Sequence, residues 1–215
     1  SPLLSNVINY ELDAALEKIK TDPYNPDYHF TYVERHFWLG NDPFGQPDVQ
    51  FYNREGANIF NYYSELCEPK YDAELNDIGN LFLAFYYVEG RNQENYDVAA
   101  FHLRQVNNRN LKYLNYVEGK LLFSQSGGLV AESFFEEEIR VNGYKEGAWR
   151  HLSYIYSSSE REDDLKKLIY SPESREAVPA EYRYKIYFLS GDLVSFYELR
   201  FRKMFGELNL WGILG

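Results

Sequence analysis

The chain carries a single cysteine, Cys67, among its 215 residues, so no internal disulfide can staple it. Cys67 follows Ile59, Phe60, Tyr63 and Leu66, apolar positions at helical spacing, and reads as a small buried apolar residue rather than a nucleophile. Positive charge is also scarce. Only 22 Lys and Arg stand against 33 Asp and Glu, a net charge of −11. Nucleic-acid binding needs a basic face to neutralise phosphates, so the balance argues against that class and for a basic or polar protein or peptide partner. No internal apolar run is long enough to cross a membrane. Strand-length alternation of apolar and polar residues is missing too, which predicts an all-α fold.

Catalytic signatures are equally sparse. The four histidines, His29, His36, His102 and His151, include no i, i+4 pair of the kind that holds zinc on a helix. His29 and His36 lie about two turns apart with Glu34 between them, but no third ligand follows, so no metal site is expected. Gly127-Gly128 lacks the Lys-Ser/Thr of a phosphate loop, and Asn41–Gly45 lacks the register and the closing Glu of a calcium loop. No G-x-S-x-G and no Ser/His/Asp or Cys/His arrangement is present. Glu136, Glu137 and Glu138 diverge by about 100° each on a helix and are expected on a solvated face. The sequence therefore predicts no catalytic residue and no cofactor. A catalytic portion outside the chain, and an enzyme with a dispersed site inside it, stand as alternatives.

What the chain has is helices and rings. Aromatics make up 18% of it, with 21 Tyr and 15 Phe. Amphipathic helices are expected over 6–20, 27–39, 55–66, 72–89, 94–106 and 161–170, with later ones over 181–189 and 193–205. A Pro- and Gly-rich irregular loop is expected over 40–53. Between 111 and 156, Leu111, Leu114, Val117 and Leu121 define one helix, and Leu129, Val130, Phe134, Phe135 and Ile139 a second. Gly127-Gly128 and Asn142-Gly143 are read as the stops between them.

In the third helix of that stretch, Trp149, Leu152, Ser153 and Tyr156 match the W-x2-L-G-x2-Y pattern with Ser in the glycine slot. One repeat earlier, Gly119, Leu122, Ala131 and Phe135 fall on the offsets of the motif's Gly, Tyr, Ala and Phe, while Asn115 and Glu118 depart from the Trp and Leu slots. The chain thus resembles a divergent tetratricopeptide repeat domain. First helices opening near Asp72, Asn108, Tyr144 and Pro179 give steps of about 35 residues, close to the repeat's ~34. The resemblance implies stacked antiparallel helix pairs in a right-handed solenoid over 70–207, preceded by a helical region over 1–69. It also implies a concave groove lined by first helices that holds a peptide or partner protein. On those offsets the partner-binding positions are Tyr113, Tyr116, Lys120, Arg150, Tyr154, Tyr184 and Tyr187. Exposed Tyr and Trp equally suit a glycan- or nutrient-binding helical protein of a cell envelope, a rival reading.

The residues 208–215, Leu-Asn-Leu-Trp-Gly-Ile-Leu-Gly, follow Arg200, Arg202 and Lys203. They read either as the start of a membrane segment or as an apolar cap on the last helix pair. The stretch GELNLWGILG resembles the junction before the first membrane helix of bacterial PrsW-type intramembrane proteases. That resemblance implies a soluble domain of a membrane protein, with the family's catalytic signatures outside this chain.

Overall fold

A computed structural model describes residues 2–39, 49–89, 93–143 and 146–206. Among these residues it has eleven α-helices, one short 3-10 turn and no strand. Neighbouring helices pack pairwise. The chain forms two compact units, Ser1–Asn142 and Gly143–Gly215, which part at the expected Asn142-Gly143 stop. Gly143–Gly215 holds eleven Lys and Arg against eleven Asp and Glu, so the whole net charge of −11 belongs to the first unit.

The first unit runs α1 (Pro2–Thr21), α2 (Pro26–Leu39), α3 (Val49–Leu66), α4 (Ala73–Glu89), α5 (Gln93–Gln105), α6 (Leu114–Ser126) and α7 (Gly128–Asn142). Helix α3 begins at Val49, so residues 49–53, expected in the loop, are helical; 40–48 lie outside the described residues. On α1, Leu12, Ala15 and Ile19 are buried at the three- and four-residue steps that put side chains on one stripe. Pro26 opens α2, where its missing N–H costs nothing. Asp72 caps α4 by accepting the Leu75 N–H at 2.9 Å.

Helix α4 is the hub of this unit. It packs against α2, α3, α5 and α6. Six apolar positions explain this: Ile78, Leu81, Phe82, Leu83, Ala84 and Phe85 are buried all round the helix rather than on one stripe. The expected α4–α5 and α6–α7 pairs are formed, and α4 also packs along α3, a helix outside the expected repeats. The α3–α4 approach is set by Gly79. A Cβ there would lie 2.7 Å from Leu66 Cβ and 3.1 Å from the Leu66 carbonyl carbon. Gly119 and Ala131, expected at a close crossing, are both buried where α6 meets α7; a Cβ on Gly119 would lie 3.0 Å from the Phe135 ring.

The second unit holds α8 (Glu146–Ser158), α9 (Glu162–Tyr170), the 3-10 turn Arg175–Ala177, α10 (Ala180–Leu189) and α11 (Leu193–Gly206). Helix α8 packs on α9, and α10 on α11 and α9, with the 3-10 turn against α8 and α9. Its core is Ala148, Leu152, Ile155, Tyr156, Leu165, Ile169, Val178, Ile186 and Tyr187. Among the described residues, no helix is long and apolar enough to cross a membrane. Residues 208–215 lie outside them.

Candidate functional site

Three of the seven positions expected to meet a partner are in the core. Tyr113 and Tyr116 are each 5% exposed and Tyr187 4%. Tyr113 ends the α5–α6 connection in a left-handed conformation, φ 74°, which turns its ring inward. The ring stacks 4.1 Å from Phe30, and its hydroxyl donates to Asp27 Oδ1 at 2.5 Å. Tyr116 sits edge-on to Phe135 at 6.0 Å. Lys120 is an internal cation: it is paired with Glu89 and lies 5.4 Å over the Phe85 ring and 5.6 Å over Tyr116. These rings and this ammonium hold α2, α4, α6 and α7 together. The rings fall at core-facing offsets, where the pattern of a buried stripe puts them.

The α5–α6 connection owes its shape to two buried carboxylates that sequence reasoning missed. Asp77 on α4 accepts the Asn107 N–H at 2.8 Å and the Asn108 N–H at 2.7 Å. Glu138 on α7, wholly buried, accepts the Tyr113 N–H at 3.0 Å, the Tyr116 N–H at 3.3 Å and the Asn142 amide at 3.2 Å. It therefore caps α6 from the neighbouring helix, at an end whose own Tyr113 side chain supplies no cap. Burial pushes the Glu138 carboxyl above its ordinary range, against the pull of its donors. The carboxylate run was expected on a solvated face; Glu136 is exposed and Glu137 pairs with Arg140 at 2.5 Å, but Glu138 is not solvated. The legible signal was its spacing: Ala131, Phe135 and Glu138 fall at i, i+4 and i+7 on one stripe.

The histidine pair resolves into packing. His29 and His36 are both buried on α2. His29 Nε2 must carry the proton, because its neighbour at 2.8 Å is the Pro23 carbonyl oxygen, which only accepts. Its Nδ1 then accepts from the Tyr63 hydroxyl at 3.2 Å. The ring stacks 5.3 Å from Phe82. Burial pushes His29 down to about 4, so the imidazole is neutral at pH 7. Among the described residues, no group of three His, Cys, Asp or Glu side chains converges to hold a metal. Cys67 is half-buried rather than buried, and burial raises its thiol to about 11, away from the thiolate a nucleophile needs.

A cleft of about 360 Å³ opens between α1 and α2, lined by Ala14, Ala15, Lys18, Asp27, Tyr28, Thr31 and Arg35. Its single carboxylate is engaged: Lys112 Nζ lies 2.5 Å from Asp27 Oδ1, beside the Tyr113 hydroxyl. Burial pushes the Asp27 carboxyl up, and the bonds from Lys112 and Tyr113 more than reverse this. The cleft holds no histidine and no second acid.

The remaining expected positions cluster in the second unit. Arg150 and Tyr154 lie at i and i+4 on one face of α8. Arg150 is tied to the exposed Glu146 at 3.0 Å. Tyr154 meets Tyr182 of α10 edge-on at 5.6 Å and His151 at 6.3 Å. Tyr184 is half-buried, edge-on to Phe196 of α11 at 5.6 Å. Comparison with protein-family models, with curated proteins and with solved structures gives no match. The Arg150–Tyr154–Tyr182 surface is therefore weighed on its own chemistry. It offers a guanidinium paired with Glu146 and a pair of phenols, with the His151 ring beside Tyr154.

Proposed function

We propose that this chain is a non-catalytic, protein- or peptide-binding helical module with tetratricopeptide-like stacked pairs, carried as the soluble portion of a membrane protein. The observation that carries the reading is the half-exposed Arg150–Tyr154–Tyr182 cluster. It joins the first helices of two successive pairs, α8 and α10, through one ring contact. Tyr and Arg are enriched at binding hot spots, where each offers a broad contact face with a polar end. The partner is a polar or basic segment, for which the carboxylate of Glu146, bordering Arg150 on the same helix, is the complementary charge. A photo-crosslinking amino acid at position 154, introduced into the chain in its native cells, tests this. A discrete protein adduct, lost on Arg150→Ala with unchanged circular dichroism, is expected. An adduct indifferent to Arg150→Ala, or none at all, refutes the assignment.

A further inference from the structure

The hairpin α10–α11 has an inner and an outer face. Inside, Phe196 packs against Tyr184 at 5.6 Å, and Ile186 and Tyr187 are buried. Outside, six large apolar side chains are more than half exposed: Phe188, Leu189, Leu193, Val194, Tyr197 and Phe201. Val194 is 80% exposed. On α11 they recur at turn spacing, from 193 and 194 through 197 to 201, which puts them on one stripe. Together they expose on the order of 600 Å², the upper end of the ~300–600 Å² patch of an ordinary monomer.

Charge at the edge of this face decides what covers it. Lys185 is exposed one turn before Phe188 and Leu189, and Arg200 is exposed beside Phe201. Arg202 and Lys203 follow on the same helix. Glu181 and Glu198 are the acids of these two helices, fewer than Lys185, Arg200, Arg202 and Lys203, while Arg183 is mostly buried and paired with Glu176 at 3.0 Å. The unit as a whole is neutral in a chain of net −11, so the excess acid lies in the other unit. Aromatic and aliphatic side chains bordered by long cationic ones are what an interfacial helix presents to lipid: rings enter the acyl boundary while Lys and Arg reach up to phosphates.

We propose that the outer face of α10–α11 lies on an anionic lipid surface, in the plane of the membrane rather than across it. The proposal rests on the membrane-borne reading above and is independent of the partner cluster on α8. It is tested by flotation of the whole chain with vesicles of phosphatidylcholine plus phosphatidylserine, and with phosphatidylcholine alone. Flotation is expected with the anionic vesicles, several-fold weaker with the neutral ones. Val194→Glu with Tyr197→Glu, both exposed and so compatible with folding, should lower the bound fraction at least tenfold. Trp211→Ser, in the apolar residues 208–215, should leave most binding in place. The proposal is overturned if Trp211→Ser abolishes flotation while Val194→Glu/Tyr197→Glu does not. It is overturned equally if the chain does not float, or if light scattering shows a dimer that the α11 substitutions split, which would assign the face to a second copy. The crosslink at position 154, read in detergent extract, reports on the partner reading whichever of these occurs.

Discussion

Replacing Gly79 with alanine sets two physical effects of opposite sign against each other. Gly79 is in the middle of α4, where helix propensity alone makes Gly→Ala favourable by about 1 kcal/mol. The new methyl would lie 2.7 Å from Leu66 Cβ, 3.1 Å from the Leu66 carbonyl carbon and 3.2 Å from the Cys67 nitrogen. Ordinary carbon–carbon contacts are about 3.5–4.0 Å. The obstacles are backbone and a Cβ, with no flexible end to swing aside, so α3 and α4 must separate by about 1 Å. Overpacking of this kind costs about 1–3 kcal/mol and loosens contacts beyond the site. With no flexible end to yield, the cost falls in the upper part of that range, about 2–3 kcal/mol, so the net expectation is a loss of about 1–2 kcal/mol, with the α4 amides exchanging hydrogen faster. Urea unfolding followed by far-ultraviolet circular dichroism, with amide exchange resolved on α3 and α4, measures both. A midpoint at or above that of the parent chain would show that the helix gain prevails and that the close approach at Gly79 is not what sets the α3–α4 distance. Gly119→Ala is the graded control. Its Cβ meets a ring edge at 3.0 Å, which can give by a few tenths of an ångström, so its loss should be the smaller of the two.

Three further outcomes follow from the buried polar groups. His29 has a folded value near 4 against about 6.5 unfolded, so the unfolded chain binds the extra proton between these limits. Its contribution is whole above pH 6.5 and declines as pH falls toward 4, by about 3 kcal/mol in all; His29→Gln should flatten that part of the pH–stability curve, and an unchanged slope would refute the assignment. Glu138→Gln turns two accepting oxygens into one and should cost about 1–3 kcal/mol in urea titration, while Glu136→Gln should stay within about 0.5 kcal/mol. Cys67, with its thiol raised to about 11, should be alkylated by iodoacetamide at pH 8 at least tenfold more slowly in the folded chain than in urea; equal rates would show an accessible thiolate.

Helix existence was legible in the sequence because long amphipathic periods and Pro or Gly stops are local signals. Gly127 and Gly143 do take positive φ, 87° and 68°, where helices stop, although Gly128 already belongs to α7. The role of α4 was less legible. Burial on all sides looks, in sequence, like any dense apolar run, and which neighbours it touches is a tertiary fact. The same limit applied to tyrosine. A phenol suits both a core and a docking face, so offsets alone could not separate Tyr113 and Tyr116, sealed against Phe30 and Phe135, from Tyr154 at the edge of α8. The burial of Glu138 could be read from its stripe, but what it and Asp77 bind could not. Their donors are backbone N–H groups of a distant loop, which carry no residue identity to read.

Most contacts of the first unit join helices that follow each other along the chain, and these need only short loops to close. The bonds from Lys112 and Tyr113 to Asp27 are different, spanning 85 and 86 residues. Closing so long a loop is entropically unfavourable until the intervening helices have already docked. These bonds are therefore made late, after the transition state for folding. Asp27→Ala should then leave the folding rate nearly unchanged and raise the unfolding rate, making this small polar knot a determinant of how long the first unit stays folded rather than of how fast it gets there.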